Sequence, residues 1–450
     1  MELQPEESMK TYLVGGAVRD RLLGLPVHDR DFVVTGATPE MMLERGFRQV
    51  GKDFPVFLHP ETHEEYALAR TEKKRGHGYD GFICDFSPDI TIEEDLSRRD
   101  LTINAMAMDE DGNIIDPWGG MSDLKKHIIR HTSPAFEEDP LRVLRVARFA
   151  ARFAPLGFTI ATGTMDLMKK IVRSGELTYL VPERVWQEFY KTLQHGMLDV
   201  FVRTLHECGA LRAVFPELDA LYGVPARKDW HPEVDTGIHM ELCLRIISDD
   251  PDPVVKFGVF CHDFGKALTP KEQLPRHPMH GPKGKPLVER MCERLRIPNE
   301  YRDFARIVCE NHSLVHRFIR RSRTSSALKV FYAIDAFRHP ERVAMLAKAA
   351  ATDYHGRLGF EKLPYQPATY MIDMFDAVRK VTPADIIKAG AKGIQIKERL
   401  ARHRMRALVI ARRNWFATHE IIPEHGGGWS RSQRALEPLR VREPDTPLTH

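Results

Sequence analysis

The stretch from Tyr12 to Val34 leaves the chain little choice of local fold. An apolar run, Tyr12-Leu13-Val14, meets Gly15-Gly16, continues as Ala17-Val18-Arg19-Asp20, and ends in a second apolar run, Phe32-Val33-Val34. That order reads as strand, glycine turn, short helix and strand. Backbone N–H groups left unshielded by Gly15 and Gly16 at a helix start can face a phosphate, and Arg19 can add a charge-assisted hydrogen bond. Asp29 and Asp31 stand where the second strand begins, and period-two geometry puts both carboxylates on one side of the sheet. Two oxygen ligands at that spacing suit Mg²⁺, which keeps waters and takes its other ligands from substrate phosphates. Alone, either element is a common turn or strand end. In this order on one frame they point to a nucleotide and metal site.

A chain of 450 residues has room for roughly two to four domains. Its net charge of +3 is nearly balanced, so affinity for nucleic acid has to come from local basic surfaces. The six cysteines, Cys84, Cys208, Cys243, Cys261, Cys292 and Cys309, form no Cys-x-x-Cys and read as inert buried thiols in a reduced protein. No apolar run approaches the ~18 residues of a membrane span, and the acidic start lacks the regions of a signal peptide. A cytoplasmic protein with an unstructured extension over 1–8 is expected.

Pro39 to Gly46 reads as a helix, and Phe54–His59 and His63–Arg70 as strands of a small mixed sheet, on which Glu65 can supply a third carboxylate. Between Glu72 and Asp89, Lys73, Lys74, Arg75, Gly76, His77, Gly78, Tyr79 and Gly81 crowd together as a mobile loop able to meet phosphate. In Arg98-Arg99-Asp100-Leu-Thr-Ile-Asn104 the arginines can bind a triphosphate, while Asp100 and Asn104 hold them or a ribose hydroxyl. From Ser133 the pattern is helical, with Arg142, Arg145, Arg148 and Arg152 on one slowly winding face and Asp139 one turn ahead of Arg142. Cytosine and adenine both present an exocyclic amino donor beside a ring-nitrogen acceptor. A carboxylate and a guanidinium side by side, here Asp139 and Arg142, would select the two together and refuse uracil and guanine.

Gly-Gly-x-Val-Arg-Asp with Asp-x-Asp, then Arg-Arg-Asp-x-Thr-x-Asn-Ala and Glu-Asp-x-x-Arg, resembles the motif series of the class II tRNA nucleotidyltransferases, the CCA-adding enzymes and their poly(A) polymerase relatives. Within them it is most similar to the bacterial multifunctional CCA proteins, which carry an additional phosphohydrolase domain. The resemblance implies an α+β fold, with a polymerase-beta-like mixed sheet and helices followed by all-α neck, HD and C-terminal regions. The head would span 9–132, the neck 133–222, the HD domain 223–356, a tRNA-binding region 357–420 and a disordered tail 421–450. It implies template-independent building or repair of the tRNA 3′ CCA end from CTP and ATP, by a monomer or dimer. Asp29 and Asp31 would be the catalytic Mg²⁺ ligands, Gly16, Arg19 and Arg99 would position the triphosphate, Asp139 and Arg142 would read the base, and Arg145 and Arg148 would reach the triphosphate. A poly(A) polymerase, an enzyme adding only CC or only A, and an HD enzyme with a non-catalytic RNA-binding head are the alternatives.

A second set of residues begins at His239 and continues through His262-Asp263-Phe-Gly-Lys266 to His277, His280, His312 and Asp353. Imidazoles and carboxylates in this mix suit Mn, Fe, Co, Ni or Zn, and such an ion can acidify a bound water for attack on phosphorus. The set resembles the HD phosphohydrolases. That implies His239, His262, Asp263 and Asp353 as ligands of Ni, Co or Mn, with His280 and His312 as further metal or phosphate ligands and Lys266 as a phosphate partner. The implied activities are 2′,3′-cyclic phosphodiesterase, 2′-nucleotidase and phosphatase. His277 and His316 carry no assigned role. Towards the end, Arg379, Lys380, Lys388, Lys392, Lys397, Arg399, Arg402, Arg404, Arg406, Arg412 and Arg413 form a basic arm suited to a tRNA backbone.

Overall fold

The opening unit folds as its pattern dictates. Strand β1 (Lys10–Val14) runs through Gly15 into a helix, Gly16–Leu22, and the chain returns as β2 (Asp31–Thr35), antiparallel to β1 with Val14 opposite Asp31. The computed structural model of the chain describes residues 9–50, 56–74, 82–319 and 324–422. The extension 1–8 and nearly all of the tail expected from 421 onward lie outside them.

β3 (Arg48–Val50), β4 (Val56–Leu58) and β5 (Glu65–Leu68) extend the sheet on the β2 side. β6 (Thr71–Lys74) and β7 (Phe82–Asp85) pair with each other as a separate antiparallel ribbon. The expected loop is therefore in part a hairpin, and residues 75–81 between its strands lie outside the described residues. β8 (Ala107–Met108) and β9 (Ile114–Ile115) close the other edge, giving the order β3-β4-β5-β2-β1-β8-β9. Alternation along the strands feeds two small cores: Tyr12, Val14 and Val33 pack with Leu96 and Ala107, while Val34 packs with Met42, Phe57 and Leu68.

From the Arg142–Phe153 helix to the Ile394–Thr418 helix the chain is almost wholly helical, so the architecture is α+β. One apolar cluster starts at Val18 and Leu101, takes in Leu144, Phe189 and Phe260, and reaches Leu408 and Trp415. The boundaries expected near 133, 223 and 357 thus fall inside a shared core. Leu218 and Leu221, just ahead of the boundary expected at 223, are fully buried in it. Among the described residues no helix is long and apolar enough to cross a membrane. On the last helix and just ahead of it, Lys392, Lys397, Arg399, Arg402, Arg406 and Arg413 are exposed. Arg404 leaves that basic face: it is buried 3.4 Å over the Phe337 ring and donates to the Tyr332 hydroxyl.

Candidate active sites in the head and the helical core

Asp29 and Asp31 lie exposed at the start of β2. β2 and β5 are parallel with Asp31 beside Glu65, so Glu65 leaves the sheet on the Asp31 side. Desolvation raises the Asp31 carboxyl above the ordinary range, Arg99 opposes the rise and Asp29 adds to it. Gly15 turns the chain at φ 68°, where a side chain is strained, and its N–H is spent on the Met106 carbonyl at 3.1 Å. A Cβ on Gly15 would lie 2.9 Å from the Arg99 guanidinium, which places Arg99 over the turn. Arg99 donates to Asp95 at 3.2 Å, and its buried Nε has no hydrogen-bond partner. The structure therefore gathers Asp29, Asp31, Arg99 and the Gly15-Gly16 turn along the edge formed by the ends of the central strands β1 and β2.

Arg19 is not at that edge. It is buried, donates to Asn104 Oδ1 and to Asp20 (2.8 Å), and lies 5.1 Å from the Phe149 and Phe153 ring centres. Burial lowers its pKa even with Asp20 alongside. Arg145 and Arg148 are likewise engaged: Arg145 Nε donates to Asp100 at 2.7 Å, and Arg148 Nε donates to Glu188 on the Pro182–His195 helix. Asn104 Nδ2 donates to Asp100 at 3.0 Å, so one network ties Arg19, Asn104, Asp100, Arg145, Glu188 and Arg148 across the junction of head and neck. Burial alone would raise the Asp100 carboxyl, but Arg145 and Asn104 outweigh it and hold the group well below the carboxylate range. Asp100 and Asn104 hold arginines, but Arg145 and Arg19 rather than the expected Arg98 and Arg99, which are held by Asp95; Arg19, Arg145 and Arg148 are turned into the junction, where buried guanidinium groups need acceptors.

Asp139 and Arg142 share a backbone turn, with Arg142 N–H on the Asp139 carbonyl at 3.0 Å, but their side chains diverge. Arg142 donates to the carbonyls of Ala135 (2.7 Å) and Arg98, reaching back to the head. The guanidinium on the Asp139 carboxylate is that of Arg184, at 2.8 Å. Neither Arg184 nor Glu188 carried an assigned role in the sequence. The available signal was an opposite-charge pair, Arg184 and Glu188, four apart on one helix.

The second centre is assembled from four helical segments. Asp235 caps the Thr236–Ile247 helix, which carries His239; His262 and Asp263 follow the Pro253–Cys261 helix; His312 lies on Asn299–Val315 and Asp353 on Glu341–His355. His239 Nε2 is 3.0 Å from Asp353 Oδ1, and His262 Nε2 is 3.3 Å from Asp263 Oδ2 and 3.9 Å from Asp353 Oδ1. The other oxygen of Asp263 faces His280 at 3.5 Å and His312 at 3.6 Å, so Asp263 lies between two groups of ligand-type atoms. Lys266 Nζ is 2.6 Å from Asp263 Oδ2, outside hydrogen-bonding geometry, which leaves both Asp263 oxygens and His262 Nε2 buried with no hydrogen-bond partner. Burial would raise the Asp263 and Asp353 carboxyls; Lys266 and His262 around the first, and His316 and His239 around the second, hold both well below the ordinary range. Burial and His262 push His312 down to about 3, so that imidazole is neutral, as a ligand must be.

Three side chains that carried no expectation belong here. Glu233 Oε1 lies 2.9 Å from His239 Nδ1, the carboxylate backing that fixes a ligating histidine. His231 shares that carboxylate at 3.0 Å. His316, four residues after His312, reaches Asp353 Oδ2 at 2.7 Å and is itself held by the Tyr365 hydroxyl at 2.6 Å. His277 instead bonds Thr269 and the Pro225 carbonyl.

Residues 11–130 match the family model of the poly A polymerase head domain, and residues 157–222 match the one described as "Probable RNA and SrmB- binding site of polymerase A". The head is thus similar to a poly A polymerase head domain, and the stretch after it to an RNA-binding unit of such polymerases. Among solved structures, an apo CCA-adding enzyme superposes with a TM-score of 0.62 at 22% identity, over 90% of this chain and 88% of that one. A Thermotoga maritima CCA-adding enzyme complexed with tRNA gives 0.59 at 22% identity, over 92% of each chain. The Bacillus stearothermophilus CCA-adding enzyme in complex with CTP gives 0.57 at 22% identity, over 90% of each. The chain as a whole has the fold of the class II CCA-adding enzymes.

Proposed function

We propose that the chain is a template-independent tRNA nucleotidyltransferase that builds and repairs the 3′ CCA end from CTP and ATP. The observation that carries this reading is the joining of a carboxylate-and-arginine edge on the head to Asp139, in the turn that leads into the Arg142–Phe153 neck helix. In this reading Asp29 and Asp31, with Glu65 beside them, hold Mg²⁺, which when bound lowers the pKa of the attacking 3′ hydroxyl and neutralises the leaving pyrophosphate. Arg99 and the Gly16 turn orient the triphosphate, and the Arg19–Asn104–Asp100–Arg145 chain fixes the angle between head and neck. Asp139 accepts from the exocyclic amino group shared by cytosine and adenine, Arg184 orients the carboxylate, and Arg142 would supply the donor for the ring nitrogen on release from the Ala135 and Arg98 carbonyls. The likeness to enzymes solved with CTP, ATP and tRNA supports these partners. The exposed cations of the last helix suit the tRNA backbone.

Offering a tRNA transcript that lacks CCA each nucleotide singly tests the reading: C then A incorporation is expected, whereas long A tails without C would make the chain a poly(A) polymerase. Arg184→Ala is expected to lower kcat/KM for CTP and ATP together by roughly 10–100-fold. A loss confined to one nucleotide would mean that the Asp139 carboxylate is not the shared reader.

A metal-dependent phosphohydrolase activity in the helical core is the second part of the reading. The buried His262 Nε2 and Asp263 oxygens, which have no hydrogen-bond partner, favour it, since a bound cation would complete them. A transition metal bound there would supply an acidified water. Lys266 would meet the substrate phosphate, and Glu233 and His316 would fix the orientation of His239 and Asp353. His262→Ala is expected to abolish hydrolysis of 2′,3′-cyclic and 2′-phosphates and to leave CCA addition unchanged. Unaltered hydrolysis would place that chemistry elsewhere.

A further inference from the structure

Cys243 was expected to be an inert thiol, yet it stands at the second centre. It lies one helical turn after His239, on the same face of the Thr236–Ile247 helix, and both side chains are fully buried. Its Sγ is 3.4 Å from His239 Nε2, and the ligand-type atoms of His239, Cys243, His262 and Asp353 all lie within 4.8 Å of one another. In a tetrahedral site with metal–nitrogen bonds of about 2.0–2.1 Å and a metal–sulfur bond of about 2.3 Å, neighbouring ligand atoms are about 3.3–3.6 Å apart. The measured edges, 3.4 Å for sulfur to nitrogen, 3.0 Å for His239 to Asp353 and 3.9 Å for His262 to Asp353, bracket that spacing.

The thiol has little freedom to turn away. Gly356, just past the helix that carries Asp353, packs so closely that a Cβ there would come within 2.3 Å of Cys243 Sγ. His239 gives its Nδ1 side to Glu233, which leaves Nε2 to face Cys243 and Asp353. His262 Nε2, 3.9 Å from the same Asp353 oxygen, is buried and unpartnered. Asp263 borders both groups: one oxygen lies 3.3 Å from His262 Nε2 and 3.9 Å from His239 Nε2 but carries Lys266 at 2.6 Å, and the other turns toward His280 and His312.

We propose that Cys243 is a metal ligand, completing with His239, His262 and Asp353 a mixed nitrogen, oxygen and sulfur site, with Asp263 leading to a second position at His280 and His312. The proposal rests on reading the helical centre as a metal site. A thiolate corner selects a soft or borderline ion, Zn²⁺, Co²⁺ or Ni²⁺, over Mg²⁺ and Mn²⁺.

The full-length protein, stripped of metal and reloaded with Co²⁺, is expected to show a near-ultraviolet thiolate-to-cobalt absorption band together with the intense visible bands of a tetrahedral site. Cys243→Ser and Cys243→Ala should both lose the near-ultraviolet band and bind Co²⁺ at least about tenfold more weakly, with a smaller change for Mn²⁺. Cys208→Ser, a buried thiol on another helix, should keep the band. CCA addition by the head reports that each variant is folded. Co²⁺ bound in a His262-dependent manner without a thiolate band, or a band that survives in Cys243→Ser, overturns the assignment of Cys243. Failure of Co²⁺ to bind at all, in wild type and His262→Ala alike, overturns the metal-centre reading itself.

Discussion

Asp31→Asn is expected to cut incorporation of both C and A by about 10²–10³-fold while leaving the chain folded and the His239–Asp353 cluster untouched. The substitution keeps the shape of the side chain and removes only its charge. Asp31 opens β2 opposite Val14 and beside Glu65, with Asp29 close enough to raise its carboxyl further and Arg99 pulling the other way. A raised carboxyl has a definite sign in the linkage of pH and stability. The folded chain holds that proton more tightly than the unfolded one, so stability is lost as pH rises through the Asp31 range, and the ionised group opposes folding at neutral pH. Asp31→Asn should therefore be neutral or slightly stabilising in a denaturation experiment, and the Mg²⁺-dependent part of the activity should vanish with it. A variant that loses activity and stability in parallel would make Asp31 a structural residue. One that retains full incorporation would move the catalytic edge away from β2.

How far the sequence disclosed this arrangement depended on whether local rules decided it. The Tyr12–Val34 unit was legible because apolar period, glycine and charge all agree there, and strand, turn, helix and strand form where expected. The arginine ladder was legible as a helix face, but not for its partners. Arg145 and Arg148 were read as reaching phosphate, yet the folded chain turns them to Asp100 and Glu188 across 45 and 40 residues of sequence. Arg184 took the place foreseen for Arg142 on Asp139 for the same reason: which helix lies opposite is a tertiary fact. At the second centre the His-Asp motif marked the position, and the remainder came from helices converging on it. Glu233, Cys243 and His316 each lie within six residues of an expected ligand, so the helical spacing of four was present at Cys243 and His316 without anything local to give it meaning.

The largest stability effect is expected at Glu188. Its carboxylate is almost wholly buried and accepts from Arg148 Nε, with Arg145 NH1 3.6 Å from its other oxygen. Arg148 is itself 9% exposed and lies 4.0 Å over the Phe149 ring, so it cannot swing out to water when its partner is removed. Burial already depresses the Arg148 pKa, with Glu188 as the main compensation. Glu188→Ala would leave a buried cation without an acceptor and is expected to cost about 3–5 kcal/mol. Chemical denaturation followed by fluorescence is a suitable measurement, since Trp186 is buried two residues away on the same helix. Replacing both partners, Glu188→Leu with Arg148→Met, should recover much of the loss, because removing a buried pair together strands no charge. Nucleotide addition should then separate the two roles of the network. If the ion pair only stabilises the junction, the double variant adds C and A normally. If it also sets the angle between head and neck through Arg145 and Asp100, the double variant stays folded but loses kcat, and a loss for Glu188→Ala below about 1 kcal/mol would show that the pair is solvated and does neither.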